Sequence, residues 1–325
     1  EAIENGLENL AAVTGTGPEN TTTEAQHPQG ALVAIEAQSG AVKALVGGRR
    51  YAETAYNRAI QNHRQAGSGF KPFTYYTALE TLRFTPATVM VDRPLTISVR
   101  GAADWQPRNF SRTFHGPMVL KKALMDSVNT IAAQLIERSG PEAVVATAQR
   151  CGIQSPLQPV YSLALGTSGV SPLEMASAYA TFATGGIRHE PFWIARVEDA
   201  QGRILEEHLV SGRRVLEPDL SYQVVDMMRG VLDRGSGAVV RRLGFTLPAA
   251  GKTGTTNSYK DAWFTGFTPT LCTSVWVGFD KERPLRDKNG VGITGGRGAA
   301  PIWARFMKQA GVDWTFSTKG YESTN

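Results

Sequence analysis

Apolar and polar positions repeat with two different periods along this chain, and the period changes twice. Residues 31–36 and 41–46 are short apolar-rich runs on either side of Gln38-Ser39-Gly40, a pattern that predicts a β-hairpin. A helical stretch is expected from Pro72 to about Leu82. The middle of the chain is mainly helical in pattern, with apolar residues near 3.6 spacing over 119–137, 141–150 and 172–183. Pro141 and Pro172 stand where first-turn prolines belong, and Gly185-Gly186 closes the third of these helices. Residues 192–207 read as a second hairpin turning at Gln201-Gly202, and 216–232 as an amphipathic helix. The last third returns to strands, over 249–255, 262–268 and 273–279, before a glycine-rich stretch at 290–298 and a final helix over 300–310. Strands at both ends around a helical middle predict an α+β domain. Its sheet would mix N- and C-terminal strands, with helices packed on it.

Residues 1–12 read as a short helix, and 13–28, rich in Thr, Gly, Pro and Asn, as a flexible connector. The 325 residues, 42% hydrophobic and 19% charged, bury a sizeable core and exclude a disordered chain. The net charge of +5 comes from 34 basic against 29 acidic residues. The basic clusters are pairs (Arg49-Arg50, Lys121-Lys122, Arg213-Arg214, Arg241-Arg242) and suit a solvated surface. No basic run with interleaved aromatics points to nucleic acid as a partner. Cys151 and Cys272 are the only cysteines and form no CxxC pair, so no metal site and two free thiols are expected, with a disulfide between them as the alternative. No apolar run approaches the roughly 18 residues that cross a bilayer, and no signal-peptide pattern opens the chain. The expectation is a soluble piece whose anchor or export signal lies elsewhere.

Five histidines (His27, His63, His115, His189, His208) show no metal-ligand spacing. A Ser-His-Asp hydrolase would carry a G-x-S-x-G elbow. The nearest approach, Gly166-Thr167-Ser168-Gly169-Val170, lacks its final glycine. What remains is a lysine-based serine site. Ser68-Gly69-Phe70-Lys71 is the only S-x-x-K in the chain and opens a predicted helix. Three residues make nearly one turn, so Ser68 and Lys71 share a face and can touch. A serine needs a neighbouring base, and a lysine serves if burial or nearby positive charge lowers its pKa. The helix start also offers N–H groups to a developing oxyanion.

Ser127-Val128-Asn129 interrupts the 119–137 helical run. Both Ser and Asn compete for backbone hydrogen bonds, so a break there would project a hydroxyl and an amide into a cleft. The alternative is a plain helix cap, and Ser323-Thr324-Asn325 at the tail matches the same pattern without meaning. Lys252-Thr253-Gly254-Thr255 lies on a predicted strand. Gly254 lets a ligand or a backbone approach closely, Lys252 supplies charge, and the threonines can bind a carboxylate. A strand glycine can equally mark a bulge. Each motif alone is weak, but the order S-x-x-K, S-x-N, K-T-G is specific for penicillin-binding proteins and serine β-lactamases.

The chain resembles the transpeptidase domain of class A, bifunctional penicillin-binding proteins over about residues 29–310. The likeness includes residues 31–51, Asn57-Arg58-Ala59, 64–73, Trp105-Gln106-Pro107-Arg108-Asn109, Leu163-Ala164-Leu165-Gly166, Asp261-Ala262-Trp263-Phe264-Thr265-Gly266 and Ala300-Pro301-Ile302-Trp303. The resemblance implies a central antiparallel sheet flanked by helices, plus a helical subdomain. It divides the chain into an interdomain linker remnant (1–28) and the transpeptidase domain (29–325). It implies no cofactor and four catalytic residues: Ser68 as nucleophile, Lys71 as its base, Ser127 as proton relay and Lys252 shaping the field. Asn129 would hold the donor peptide, Thr253 and Thr255 its carboxylate, and Gly254 would allow the close approach. Backbone N–H groups of Ser68 and Thr255 would form the oxyanion hole. The implied partners are peptidoglycan stem peptides, as D-Ala-D-Ala donor and amine acceptor, and β-lactams, with no nucleic acid. The implied setting is extracytoplasmic, in a longer membrane-anchored protein with an N-terminal glycosyltransferase domain.

Gly69 departs from the Ser, Thr or Ala usual there, which would loosen the helix start. The tail after about residue 311 matches no family pattern. A D,D-carboxypeptidase, a β-lactamase and a non-catalytic β-lactam sensor share the three motifs. The β-lactamase reading lacks its E-x-x-L-N segment, since Glu142 and Glu174 lie in helical runs without it.

Overall fold

The computed structural model describes residues 1–14, 27–52, 54–99, 101 and 103–310. The 13–28 connector falls largely, and the 311–325 tail wholly, outside the described residues. At the centre is a five-stranded antiparallel sheet in the order Ala250–Thr255, Asp261–Phe267, Leu271–Gly278, Gln29–Glu36, Val42–Val46. The expected mixing of chain ends is direct: Gln29 pairs with Gly278 and Glu36 with Leu271. The first hairpin turns where Gly40 takes φ +84° and donates its N–H to Glu36 O at 2.9 Å, a conformation that glycine adopts without steric cost.

Side chains alternate across this sheet, and each face meets its own core. Ala31, Val33 and Ile35 join Trp263, Phe267 and Trp276 in one cluster with the helices Lys71–Leu82, Asn129–Ser139, Pro141–Cys151 and Pro172–Ala183. Leu32 and Ala34 join Phe264, Val275 and Val277 in the other, under Ala2–Thr14 and Ala299–Gln309. The helix Pro218–Asp233 reaches both, through Val224 and Met228 on one side and Val231 and Leu232 on the other. The three inner strands are covered on both faces and buried at nearly every position, which is why they read as runs in the sequence.

The other expected elements are present within a few residues, with two differences. The 119–137 stretch is two helices, Leu120–Met125 and Asn129–Ser139, broken at Ser127 as the Ser127-Val128-Asn129 interruption predicts. The second hairpin is confined to Arg196–Glu198 and Ile204–Glu207. Short pairings such as Val89–Asp92 with Gly116–Val119 were not anticipated, because four-residue strands carry too little periodicity. Of the segment expected to be linker, Ala2–Thr14 is a packed helix with Ile3, Leu7 and Leu10 buried. Gly6 permits the docking: a Cβ there would sit 2.3 Å from Ile302 Cγ1. Cys151 and Cys272 are free and buried. Among the described residues no helix is long and apolar enough to cross a membrane.

Because Leu7 is fully buried between sheet and final helix, Leu7→Ala should cost about 3 kcal/mol through lost transfer energy and cavity formation. Thermal unfolding would show it. An unchanged melting temperature would mean that the first helix is a detachable appendage.

Candidate active site

Three segments converge beside the free edge of the sheet. The first is the turn before the Lys71–Leu82 helix. Ser68 lies not in that helix but in a 3₁₀ turn, Gly67–Phe70, directly ahead of it. Gly67 takes φ +57°, and a Cβ there would meet Thr255 O at 2.6 Å. The turn therefore rests on the Ala250–Thr255 strand. Gly254 makes the same contact from the other side, since its Cβ would lie 2.2 Å from Ala66 O. The Trp263 indole fastens the approach by donating to Gln65 O at 2.9 Å. Gly69 leaves the turn held, not loosened: its carbonyl accepts from Tyr179 OH at 2.5 Å, and its N–H reaches Ala66 O at 3.2 Å.

The second segment is the break between Leu120–Met125 and Asn129–Ser139. Ser127 adopts φ +61°, a left-handed conformation unfavourable for serine and typical of strained functional positions. Its backbone is held by Ser127 N–H to Leu124 O (3.1 Å) and Val128 N–H to Ala123 O (2.9 Å). The kink throws the hydroxyl toward two lysines. Lys71 Nζ lies 3.1 Å and Lys252 Nζ 2.9 Å from Ser127 Oγ. Lys71 also donates to Ser127 O at 2.6 Å and Asn129 Oδ1 at 2.7 Å. Among the described residues Lys71 hydrogen-bonds to Ser127 and Asn129, not to Ser68. The one-turn spacing sets the two side chains on one face, and the polar break draws the amine toward itself.

The third segment is the edge strand, where Lys252 and Thr253 are buried and Thr255 is half-buried. Lys252 Nζ donates also to Thr253 O (3.2 Å), and Thr253 Oγ1 lies 2.6 Å from Ser236 Oγ. Thr255 Oγ1 accepts from Gly295 N–H at 3.0 Å. Burial, and next the neighbouring Lys252 charge, hold the Lys71 ammonium well below its ordinary pKa. Burial lowers Lys252 to about 7. Two amines that close, both desolvated, favour a state in which one is neutral and the other charged.

The motifs did not reveal the scaffold behind Asn129. Asn109 Oδ1 accepts from the N–H groups of Asn129 (2.9 Å) and Thr130 (3.3 Å), capping from outside a helix whose N-cap, Val128, has no capping side chain. Asn109 Nδ2 donates to the buried Asp92 at 2.8 Å and to Thr113 O at 3.0 Å. Asp92 also accepts from the Thr130 hydroxyl and from His115 N–H and Nδ1. Arg108 O takes a bond from Asn129 Nδ2 at 2.8 Å. Arg108 and Asn109 sit in the Trp105–Asn109 segment that the sequence marked without assigning a role. Asp92 and Ser236 carried no sequence signal.

Asn109→Ala removes an acceptor from two helix-terminal N–H groups and leaves Asp92 short of a donor. It should destabilise the fold by about 1–2 kcal/mol, read by denaturant unfolding. A neutral effect would mean that Asn129 is positioned without this scaffold.

The family model of the penicillin binding protein transpeptidase domain matches residues 30–280. Penicillin-binding protein 1A of Aquifex aeolicus is 38% identical over 283 residues, 86% of this chain and 38% of that protein. Penicillin-binding protein 1A of Haemophilus influenzae superposes with a TM-score of 0.83 and 31% identity, over 89% of this chain and 49% of its own. Penicillin-binding protein PonA1 of Mycobacterium tuberculosis, solved in complex with penicillin V, gives a TM-score of 0.79 at 29% identity over 97% and 86% of the two chains. The chain spans about two fifths of the length of the curated relatives it matches, or slightly less. With the fold, the convergent motifs and these likenesses together, the chain belongs to the penicillin-binding-protein transpeptidase family, on its class A branch.

Proposed function

We propose that this chain is a serine D,D-transpeptidase that cross-links peptidoglycan stem peptides and is acylated by β-lactams. The observation that carries this reading is the Ser127 hydroxyl held between two buried lysine amines, 3.1 and 2.9 Å away. Neutral Lys71 accepts the Ser68 proton as Ser68 Oγ attacks the carbonyl of the penultimate D-Ala. Two N–H bonds hold Lys71 to Ser127 O and Asn129 Oδ1, leaving its lone pair for a proton. Collapse of the tetrahedral intermediate breaks the C–N bond. The proton passes from Lys71 through Ser127 to the leaving D-Ala amine, and an ester on Ser68 remains. The acceptor amine attacks that ester, and its proton returns by the same relay, restoring Ser68.

Backbone N–H groups of Ser68 and Thr255 form the oxyanion hole in this reading. Asn129 Nδ2 holds the donor amide. Thr253 and Thr255, backed by Ser236 and Lys252, take the terminal carboxylate, and Gly254 keeps the strand close to the turn. No step calls for a cofactor. The remaining proposals are an extracytoplasmic location and a longer membrane-anchored protein with an N-terminal glycosyltransferase domain. A β-lactamase reading needs a free water-activating carboxylate. Glu174 is instead committed to a capping box with Ser171 and to bonds from Gln154 and Ser155. A D,D-carboxypeptidase would pass the same acyl group to water.

Incubation with labelled penicillin should place one stable adduct on the Ser68 peptide, and Lys71→Ala should slow its formation about a thousandfold. An adduct mapping elsewhere would overturn the assignment, and rapid label loss would mean a β-lactamase. Supplying a D-Ala-D-Ala peptide with and without an acceptor amine separates cross-linking from hydrolysis.

The lysine electrostatics give a pH test. Protonated Lys252 is present below its lowered pKa of about 7 and is lost as pH rises through that value. The second-order acylation rate should therefore fall on the alkaline side with a midpoint near there. In Lys252→Arg, which stays charged, this alkaline limb should move beyond the assay range at a reduced overall rate. An unmoved limb would remove Lys252 from the titration.

A further inference from the structure

Among the described residues two carboxylates are buried, Asp92 and Asp261. Asp92 serves the helix that carries Asn129. Asp261 lies on the other side of the site, behind the Lys252 strand, and the proton transfers make no use of it. It opens the strand Asp261–Phe267, across a short turn from Thr255 and Thr256. Its carboxylate accepts from the Thr256 hydroxyl at 3.2 Å and from the Trp276 indole N–H at 3.0 Å. Backbone groups close the same link in both directions. Asp261 N–H donates to Thr256 Oγ1 at 2.9 Å, and Thr256 N–H to Asp261 O at 3.1 Å. Thr255, which supplies an oxyanion N–H in the proposed reaction, is therefore held from the residue directly after it.

The same carboxylate faces the segment that leads into Ser68. Arg64 Nη1 lies 4.0 Å from Asp261 Oδ1, and the guanidinium stands 5.7 Å from the Trp276 ring centroid. Arg64 is itself buried and anchored. Its Nη2 donates to Phe279 O and Asp280 O, both at 2.7 Å, and its Nε to Asn62 Oδ1 at 3.0 Å. Ser68 follows four positions later, and Gln65 between them is tied to the sheet by the Trp263 indole. Trp263 and Trp276 are paired on neighbouring strands, so one indole fastens the backbone before the turn and the other the carboxylate. Glu282 completes the charges around the pair, 3.4 Å from Arg64 and 2.8 Å from Lys260. Burial pushes the Asp261 carboxyl above its ordinary range, and the Trp276, Arg64 and Thr256 contacts pull it back. A buried carboxylate paired in this way adds little net stability over an apolar side chain of similar size. What it does supply is two fixed attachments, one to the strand and one to the turn.

Resting on the proposed function, we infer that Asp261 is a positioning residue of the oxyanion hole. Through Thr256 it fixes the Thr255 N–H, and through Arg64 it fixes the turn carrying the Ser68 N–H, so the two donors keep the spacing that one carbonyl oxygen requires. The close approach of turn and strand, where a Gly67 Cβ would lie 3.0 Å from Thr255 N, brings the donors near each other. Asp261 sets their final register. Buried behind the strand, it makes no contact with the donor peptide or a β-lactam. Its effect falls on the steps in which charge develops on the carbonyl oxygen, acylation and transfer alike, and spares initial binding.

Infrared difference spectra of the penicillin acyl-enzyme, with the ester carbonyl carbon isotopically labelled, read hydrogen bonding at that oxygen directly. Wild type should show one carbonyl band at lowered frequency. In Asp261→Asn the band should move up and broaden while the non-covalent affinity for penicillin holds. The first-order acylation rate constant should fall about a hundredfold, the loss expected for a misplacement of about 1 Å. Thr256→Val removes the hydroxyl link and keeps the side chain's shape. It should shift the band the same way with a smaller, about tenfold, loss of rate, and it carries the test if Asp261→Asn folds poorly. A slowed rate with an unmoved band would refute the inference and leave Asp261 a residue of stability alone, as would an unchanged rate. Wild-type protein that penicillin does not acylate would sink the transpeptidase reading itself, a different outcome from an acylated enzyme with indifferent variants.

Discussion

Two lysine amines taken out of water and brought to one serine hydroxyl are the constraint around which this molecule is arranged. A buried ammonium is costly unless it is hydrogen-bonded or gives up its proton, and here both answers are used. Lys71 has three oxygen neighbours from the helix break and a strongly depressed pKa. Lys252 shares Ser127 and leans on its own strand. The protein keeps these amines dry by placing one on a helix inside the larger core and the other on the edge strand of a doubly covered sheet. Exposing either amine to water would return that lysine toward ordinary, charged behaviour, since each is lowered chiefly by its own burial.

The glycines near the site serve the same end. Gly67 and Gly254 let a turn and a strand approach at backbone distance, and that approach sets Ser68 beside Thr255. Gly166, at φ +66°, stacks a third backbone on the turn, since its Cβ would fall 2.2 Å from Gly67 O. Side chains at these positions would push the nucleophile away from the strand and admit water between them. Asn109 and Asp92 do for the Asn129 helix what these glycines do for the turn: they fix where a reactive group begins.

Much of this was legible in the chain. The five sheet strands, the long helices and the three motifs followed from period, proline and glycine placement, because a doubly covered sheet and buried helices imprint strong patterns. The Ser127 break was legible for a related reason, since Ser and Asn disrupt a helix locally. Asp92 and Ser236 were not, because single polar residues gain their meaning from neighbours remote in sequence, Thr130 and Thr253 respectively. The direction of the Lys71 amine was also hidden. Spacing sets which face a side chain leaves from, whereas its three acceptors come from a segment some sixty positions onward.

The pairing of Gln29–Glu36 with Leu271–Gly278 has a consequence for assembly. The sheet joins the first and last thirds of the chain, so its central ladder closes a loop of more than two hundred residues before either face is covered. Such non-local closure is slow relative to helix formation. A nascent chain would carry its helices formed while the strand bearing Lys252 still lacked the ladder behind it. Competence for chemistry therefore arrives late, as one event, once the far ends of the polypeptide have met.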